Sequence, residues 1–131
     1  MTWFSWRKPK SSVDQLVDEL VRAGKKVPDL VGPTEISAYD AADRAMRKIA
    51  EAIKALGPEG EAALMKLMDH KIPVVRVRAA GACMSFARDR AVNVLADVCE
   101  LRAGQVSMDA MHVLLFAGEF DMKTGPKRRP V

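Results

Sequence analysis

The chain predicts an all-α fold, an α-α superhelix of about three antiparallel helix pairs, and three observations carry that prediction. Apolar residues recur at three- and four-residue spacing through most of residues 11–122. Glycine and proline fall between the periodic stretches, where helices start and stop. Alternation with a period of two is confined to Val75–Val77, inside an Ala-rich helical pattern, so no sheet is expected.

The first helix is placed by Val13, Leu16, Val17, Leu20 and Val21, with Ser11 or Ser12 as cap and Gly24 as its stop. Residues 25–33 hold two prolines and Gly32 and read as a loop. The second helix, capped by Thr34 or Ser37, turns Ile36, Tyr39, Ala42, Met46, Ile49, Ile53 and Leu56 inward and ends at Gly57. Pro58 opens the third helix, which carries Leu64, Leu67 and Met68. After a break at Asp69–Ile72, Pro73 opens the fourth, which holds Val74, Val75, Ala79, Ala80, Ala82, Cys83 and Phe86. Asp89 is placed to cap the fifth helix, with Ala91, Val94, Leu95, Val98 and Leu101 inward. Ser107 is placed to cap the sixth, with Met108, Met111, Leu114 and Leu115 inward and Gly118 as the stop.

A chain of 131 residues has room for one domain and buries roughly 68% of its unfolded surface. Aromatic residues make up only 5%, so Ala, Leu, Val and Met must fill the core. The net charge of +4 is unevenly placed. All 17 acids and 14 of the 21 bases lie in residues 11–122, and the surplus positive charge sits at the two ends. The organisation predicted is a basic aromatic leading segment (1–10), a helical repeat domain (11–122) and a basic flexible tail (123–131). The start lacks the long apolar stretch of a signal peptide and no run is long enough to span a membrane, so a cytoplasmic location is expected.

The sequence shows no arrangement for catalysis, cofactor or metal. His70 and His112 lie in different repeats, and neither is near Cys83 or Cys99, both of which fall among apolar residues and read as buried reduced thiols. The run Gly57-Pro58-Glu59-Gly60 is a turn between helices, not a phosphate loop. Trp3, Phe4 and Trp6 beside Arg7, Lys8 and Lys10 could touch a membrane surface, but the segment is too short to anchor alone.

The most informative stretch runs from Leu64 to Cys83. A Leu-rich helix ends at Asp69, Pro73 follows, then Val75 and Arg76, then the pair Ala79-Ala80. In physical terms Asp69 can accept from the free N–H groups that open the fourth helix, and Pro73 sets the entry angle. Val75 fills the gap between paired helices, Ala79 and Ala80 let backbones approach, and Arg76 can reach the turn of a neighbouring repeat. This pattern resembles the HEAT repeat signature. The next copy, residues 88–117, is degenerate, as a terminal repeat is expected to be.

From Val13 to Met122 the chain also looks like a family of small bacterial HEAT-like domains of unknown function, on the long helix before the Leu-Leu helix and the Asp-His-x-x-Pro-x-Val-Arg segment, Asp69 to Arg76. Members of that family often look like immunity partners of secreted toxins, so the resemblance implies a toxin-binding inhibitor, with no enzyme activity and no cofactor. The chain departs from the pattern in having Phe116 near the place where a Trp is expected, and in its basic tail. In such a stack the second helix of each pair lines a shallow groove. The polar residues expected to face a protein partner are Arg44, Lys48 and Glu51 on the second helix, Arg78 on the fourth, and Asp109 and His112 on the sixth. The alternatives are nucleic-acid binding through the basic ends and a structural adaptor or homo-oligomer. The HEAT fold also hosts DNA glycosylases, but the tryptophans here lie outside the repeats.

Overall fold

A computed structural model of the chain describes residues 11–27 and 36–130, and within them the fold is all-α. Six α-helices follow one another among the described residues: α1 (Ser12–Lys26), α2 (Ile36–Lys54), α3 (Pro58–Leu67), α4 (Pro73–Cys83), α5 (Arg88–Glu100) and α6 (Gln105–Phe116). The leading segment 1–10, most of the first interhelical loop and the Thr34 cap lie outside the described residues.

Each helix packs on the next, and α2, α4 and α6 also touch one another in order along one flank. The buried face therefore runs continuously from pair to pair. Leu20, Met46, Ile53, Leu64, Met68, Leu95 and Leu114 are shielded from water, each contributing about 1.5–3 kcal/mol by burial. Val75, Ala79 and Ala80 are fully buried where α4 meets its neighbours, and Pro73 is the first residue of α4. Small side chains at these positions let the middle helix be enclosed on several sides.

Several local expectations are corrected. Gly24 does not stop α1, which continues to Lys26. A Cβ there would sit 2.6 Å from Val75 Cγ2, so this glycine permits a close helix crossing. Asp69 does not cap α4: its carboxylate pairs with Arg90 Nη2 at 2.6 Å, and His70 Nδ1 instead accepts from the Ile72 N–H. Arg76 turns back on its own loop, donating to the His70 carbonyl at 2.9 Å, and the reach to a preceding pair is made by Arg90, which donates to the Met65 carbonyl. Burial lowers the His70 pKa, as do the nearby cations Lys71, Lys25 and Arg76. Asp89 lies in the first turn of α5 without capping it. Ser107 lies inside α6 and locks the preceding turn, accepting from the Ala103 N–H and donating to the Val98 carbonyl.

The expectation of no sheet is also corrected. After Gly118, which turns the chain with φ 74°, β1 (Phe120–Asp121) pairs antiparallel with β2 (Gly125–Pro126). Asp121 Oδ1 accepts from the N–H groups of Lys123 and Thr124 and closes the turn. Strands of two residues are too short to leave a period-two signature in the sequence.

The tail, expected to stand free, makes contacts with α5 and Glu119 through Arg129. Asn93 exchanges two hydrogen bonds with the Arg129 backbone. The Arg129 side chain reaches Glu119 and Asp89, and Arg128 reaches Asp97 and Glu100. Arg88 completes this latch, bonding Glu119 at 2.6 Å and the Ala117 carbonyl. The hydrogen bonds from Arg129 and then Arg88, against the opposing cost of burial, hold the Glu119 carboxyl at about 2.

Candidate binding groove

The flank where α2, α4 and α6 meet is concave, and a groove of about 660 Å³ runs along it. Its floor is made of small residues, among them Ala50, Gly81 and Ala82. Gly81 has open space where a Cβ would point, so α4 contributes a low floor between two higher helices. Arg47 and Glu51 rise on the α2 side, His112 and Phe116 on the α6 side. The Phe116 ring is 91% exposed, the most exposed large apolar side chain among the described residues.

Beneath the groove lies a polar network that joins the three helices. Tyr39 Oη, on α2, donates to Asp109 Oδ2, on α6, at 2.5 Å. Gln105 donates to the other Asp109 oxygen. Arg78, on α4, sits between them, its Nη1 2.9 Å from Asp43 Oδ1 and its Nη2 4.0 Å from Asp109 Oδ2. Asp43 also pairs with Arg47. The Arg78 side chain is only 3% exposed, and its Nε and Nη2 make no hydrogen bond. Burial pushes its pKa down against the opposing pull of Asp43 and Asp109. Burial, followed by the bond to Asp109, pushes the Tyr39 hydroxyl well above its ordinary value.

The sequence-predicted partner residues therefore separate into three groups. Glu51, Arg78 and His112 line the groove, Arg78 from its floor. Arg78 and Asp109, expected on the outward polar face, are buried and hold the helices together. The correction has a simple cause: the i, i+4 pattern places them toward the neighbouring second helices, which pack closely enough to exclude water. Arg44 is exposed on α2, and Lys48 lies on a different side, in a hollow between α1 and α2 with Glu19 and Arg22. Sequence reasoning missed Arg47, Asp43, Tyr39 and Phe116. An Asp at 43 and an Arg at 47, four residues apart on one helix, were the available signal for the first two.

Among the described residues no group of three His, Cys, Asp or Glu side chains could hold a metal ion. Burial pushes the Cys83 thiol up to about 11 and raises Cys99 as well, so neither is poised as a nucleophile at neutral pH. No described helix is long and apolar enough to cross a membrane.

The geometry can be set beside known families. Residues 14–116 match the model of the family described as "Domain of unknown function (DUF2019)". The chain belongs to that family. The match spans α1 to α6, groove included, and stops before the hairpin. No curated protein and no solved structure matches the chain.

Proposed function

We propose that this member of the DUF2019 family works by binding another protein in the α2–α4–α6 groove, without catalysis. The observation that carries the reading is the groove itself: a concave flank with Phe116 standing in water at one lip and Arg47, Glu51 and His112 around it. An exposed aromatic ring beside charges of both signs is the composition of an interaction hot spot, where a ring anchors and rim charges select. The network below keeps the three helices in register, so the groove is presented largely preformed and binding costs little ordering.

The HEAT-like signature adds the finer proposal that the partner is a secreted toxin domain and that this chain neutralises it. Nucleic-acid binding through the basic tail is disfavoured by the latch, because Arg128 and Arg129 are already paired with Asp97, Glu100, Asp89 and Glu119.

The test is calorimetry against the purified product of the adjacent reading frame, with growth rescue as the readout for toxin neutralisation. A one-to-one complex is expected, weakened at least tenfold by combining Arg47→Glu with Glu51→Lys. Binding that is indifferent to both changes would place the contact off the groove. Binding without rescue would retain the groove and discard the toxin.

A further inference from the structure

We infer that the groove takes a basic side chain, a lysine or arginine of the partner, seated between the Glu51 carboxylate and the Phe116 ring. The inference rests on the groove being the binding site and names the chemistry of what enters it. Two arginines line the groove, and both are already answered: Arg47 by Asp43, and Arg78 by Asp43 and, more distantly, Asp109. Glu51 is exposed, and its carboxylate makes no hydrogen bond or ion pair among the described residues. Two cations thus stand against three carboxylates, and the unanswered carboxylate is the one at the lip.

The helix ends add to that field. The groove is lined by Ala50 and Glu51 from the second half of α2, by Ala82 and Met84 at the end of α4, and by Phe116 and Ala117 at the end of α6. Three carboxyl-terminal halves therefore surround one space, and the carboxyl end of a helix carries partial negative charge on its unpaired carbonyls. The first three helices answer that charge with a base in the last turn: Lys25 and Lys26 on α1, Lys54 on α2 and Lys66 on α3. Neither α4 nor α6 has one. Arg88 reaches the Ala117 carbonyl from outside α6, but its charge is matched by Glu119. A cation brought by a partner meets the unpaired carboxylate, the negative ends of α4 and α6, and an exposed aromatic ring, whose face attracts cations in its own right. An acidic side chain is repelled by the first two. The low floor at Gly81 leaves depth for the methylene stem of a lysine or arginine.

Two capped hexapeptides, one alternating Lys with Ala and one alternating Glu with Ala, serve as probes when titrated into the isotope-labelled full chain at ~0.15 M salt and followed by NMR. The lysine peptide should shift the amides of residues 81–84 and 112–117, and the glutamate peptide should not. Glu51→Gln should weaken the lysine peptide at least ~fivefold. Phe116→Leu, which keeps apolar bulk and removes the ring, should weaken it ~twofold or more. Glu19→Gln, at an exposed acid in the hollow between α1 and α2, should leave it unchanged. Melting temperatures equal to the parent's separate a lost contact from a damaged fold. Groove shifts from the glutamate peptide as large as those from the lysine peptide overturn the inference. So does a lysine peptide that leaves the groove unshifted at ~10 mM, or one whose affinity is indifferent to Glu51→Gln. A complex with the adjacent-frame protein separates this inference from the reading beneath it. If that complex is weakened by Phe116→Ser but indifferent to Glu51→Gln, the groove stands and the cation is overturned; if it is indifferent to both, the two fall together.

Discussion

The two ends of the stack are built from the same kind of helix and finished differently. At the α1 end the outer surface is charged, and the inner surface comes so close to α4 that position 24 has no room for a side chain. At the α6 end the outer surface is apolar and neutral, and the chain continues past the helix into a hairpin and an ionic latch along α5. Among the described residues the α1 end presents charged side chains on its outer surface. The α6 end is completed on one side by the chain's own tail and leaves Met108, Leu115 and Phe116 exposed. The groove of the proposed contact lies on the α6 side of that asymmetry.

Substitutions can break the comparison, beginning with what the two ends share. Arg78→Ala removes the cation that links the α2 and α6 carboxylates and leaves Asp43 and Asp109 facing each other in a water-poor space. Loss of one partner from a buried pair costs about 3–5 kcal/mol, and urea unfolding should show it as a lower midpoint with an unchanged slope. A loss below about 1 kcal/mol would mean that water already reaches the network. Next, Gly24→Ala forces a methyl group into the Val75 side chain. Strain of roughly 1–3 kcal/mol exceeds the gain in helix propensity of up to about 1 kcal/mol, so the variant should melt lower than the parent. An unchanged or higher melting temperature would show that the close crossing relaxes freely.

The latch at the α6 end sharpens the contrast through pH. Glu119 has a depressed pKa in the folded chain, so its stabilising contribution is complete above the ordinary carboxylate value near 4.5 and is lost as pH falls through about 2. Glu119→Gln should therefore destabilise the chain at neutral pH, and its deficit relative to the parent should shrink as pH falls below 4.5 toward 2. A deficit constant across that window would remove the carboxylate from the latch. The smallest effect on stability is expected at the exposed ring: Phe116→Ser should change unfolding free energy by no more than about 0.5 kcal/mol while altering association. A large stability loss there would make Phe116 part of the fold after all.

The helices were legible in the sequence because their signals are local: the Ser11 cap and Pro58 and Pro73 at first turns stand in the structure, and the apolar spacing places the helices, although Leu56, Leu101, Met108 and Leu115, read as inward, are exposed. What escaped depends on neighbours remote in the chain. Gly24 has the composition of a helix stop, and only the approach of Val75, 51 residues later, makes it a packing position. Arg78 and Asp109 have the spacing of an outward polar face, and the polar network that buries them draws on α2, α4 and α6. The tail looked like solvated positive charge because its acidic partners on α5 are about 30 to 40 positions earlier. Phe116 was visible as a departure from a family pattern, but its exposure was not, since the inward and outward sectors of a terminal helix differ only by what packs on them.

Amide hydrogen exchange on the chain alone and in complex with the proposed protein partner tests the placement of function at the α6 side most directly. The prediction is slowed exchange in α4 and in residues 108–117, with residues 12–26 of α1 unchanged. Protection concentrated in α1, with α6 exchanging as it does in the free chain, would contradict the account.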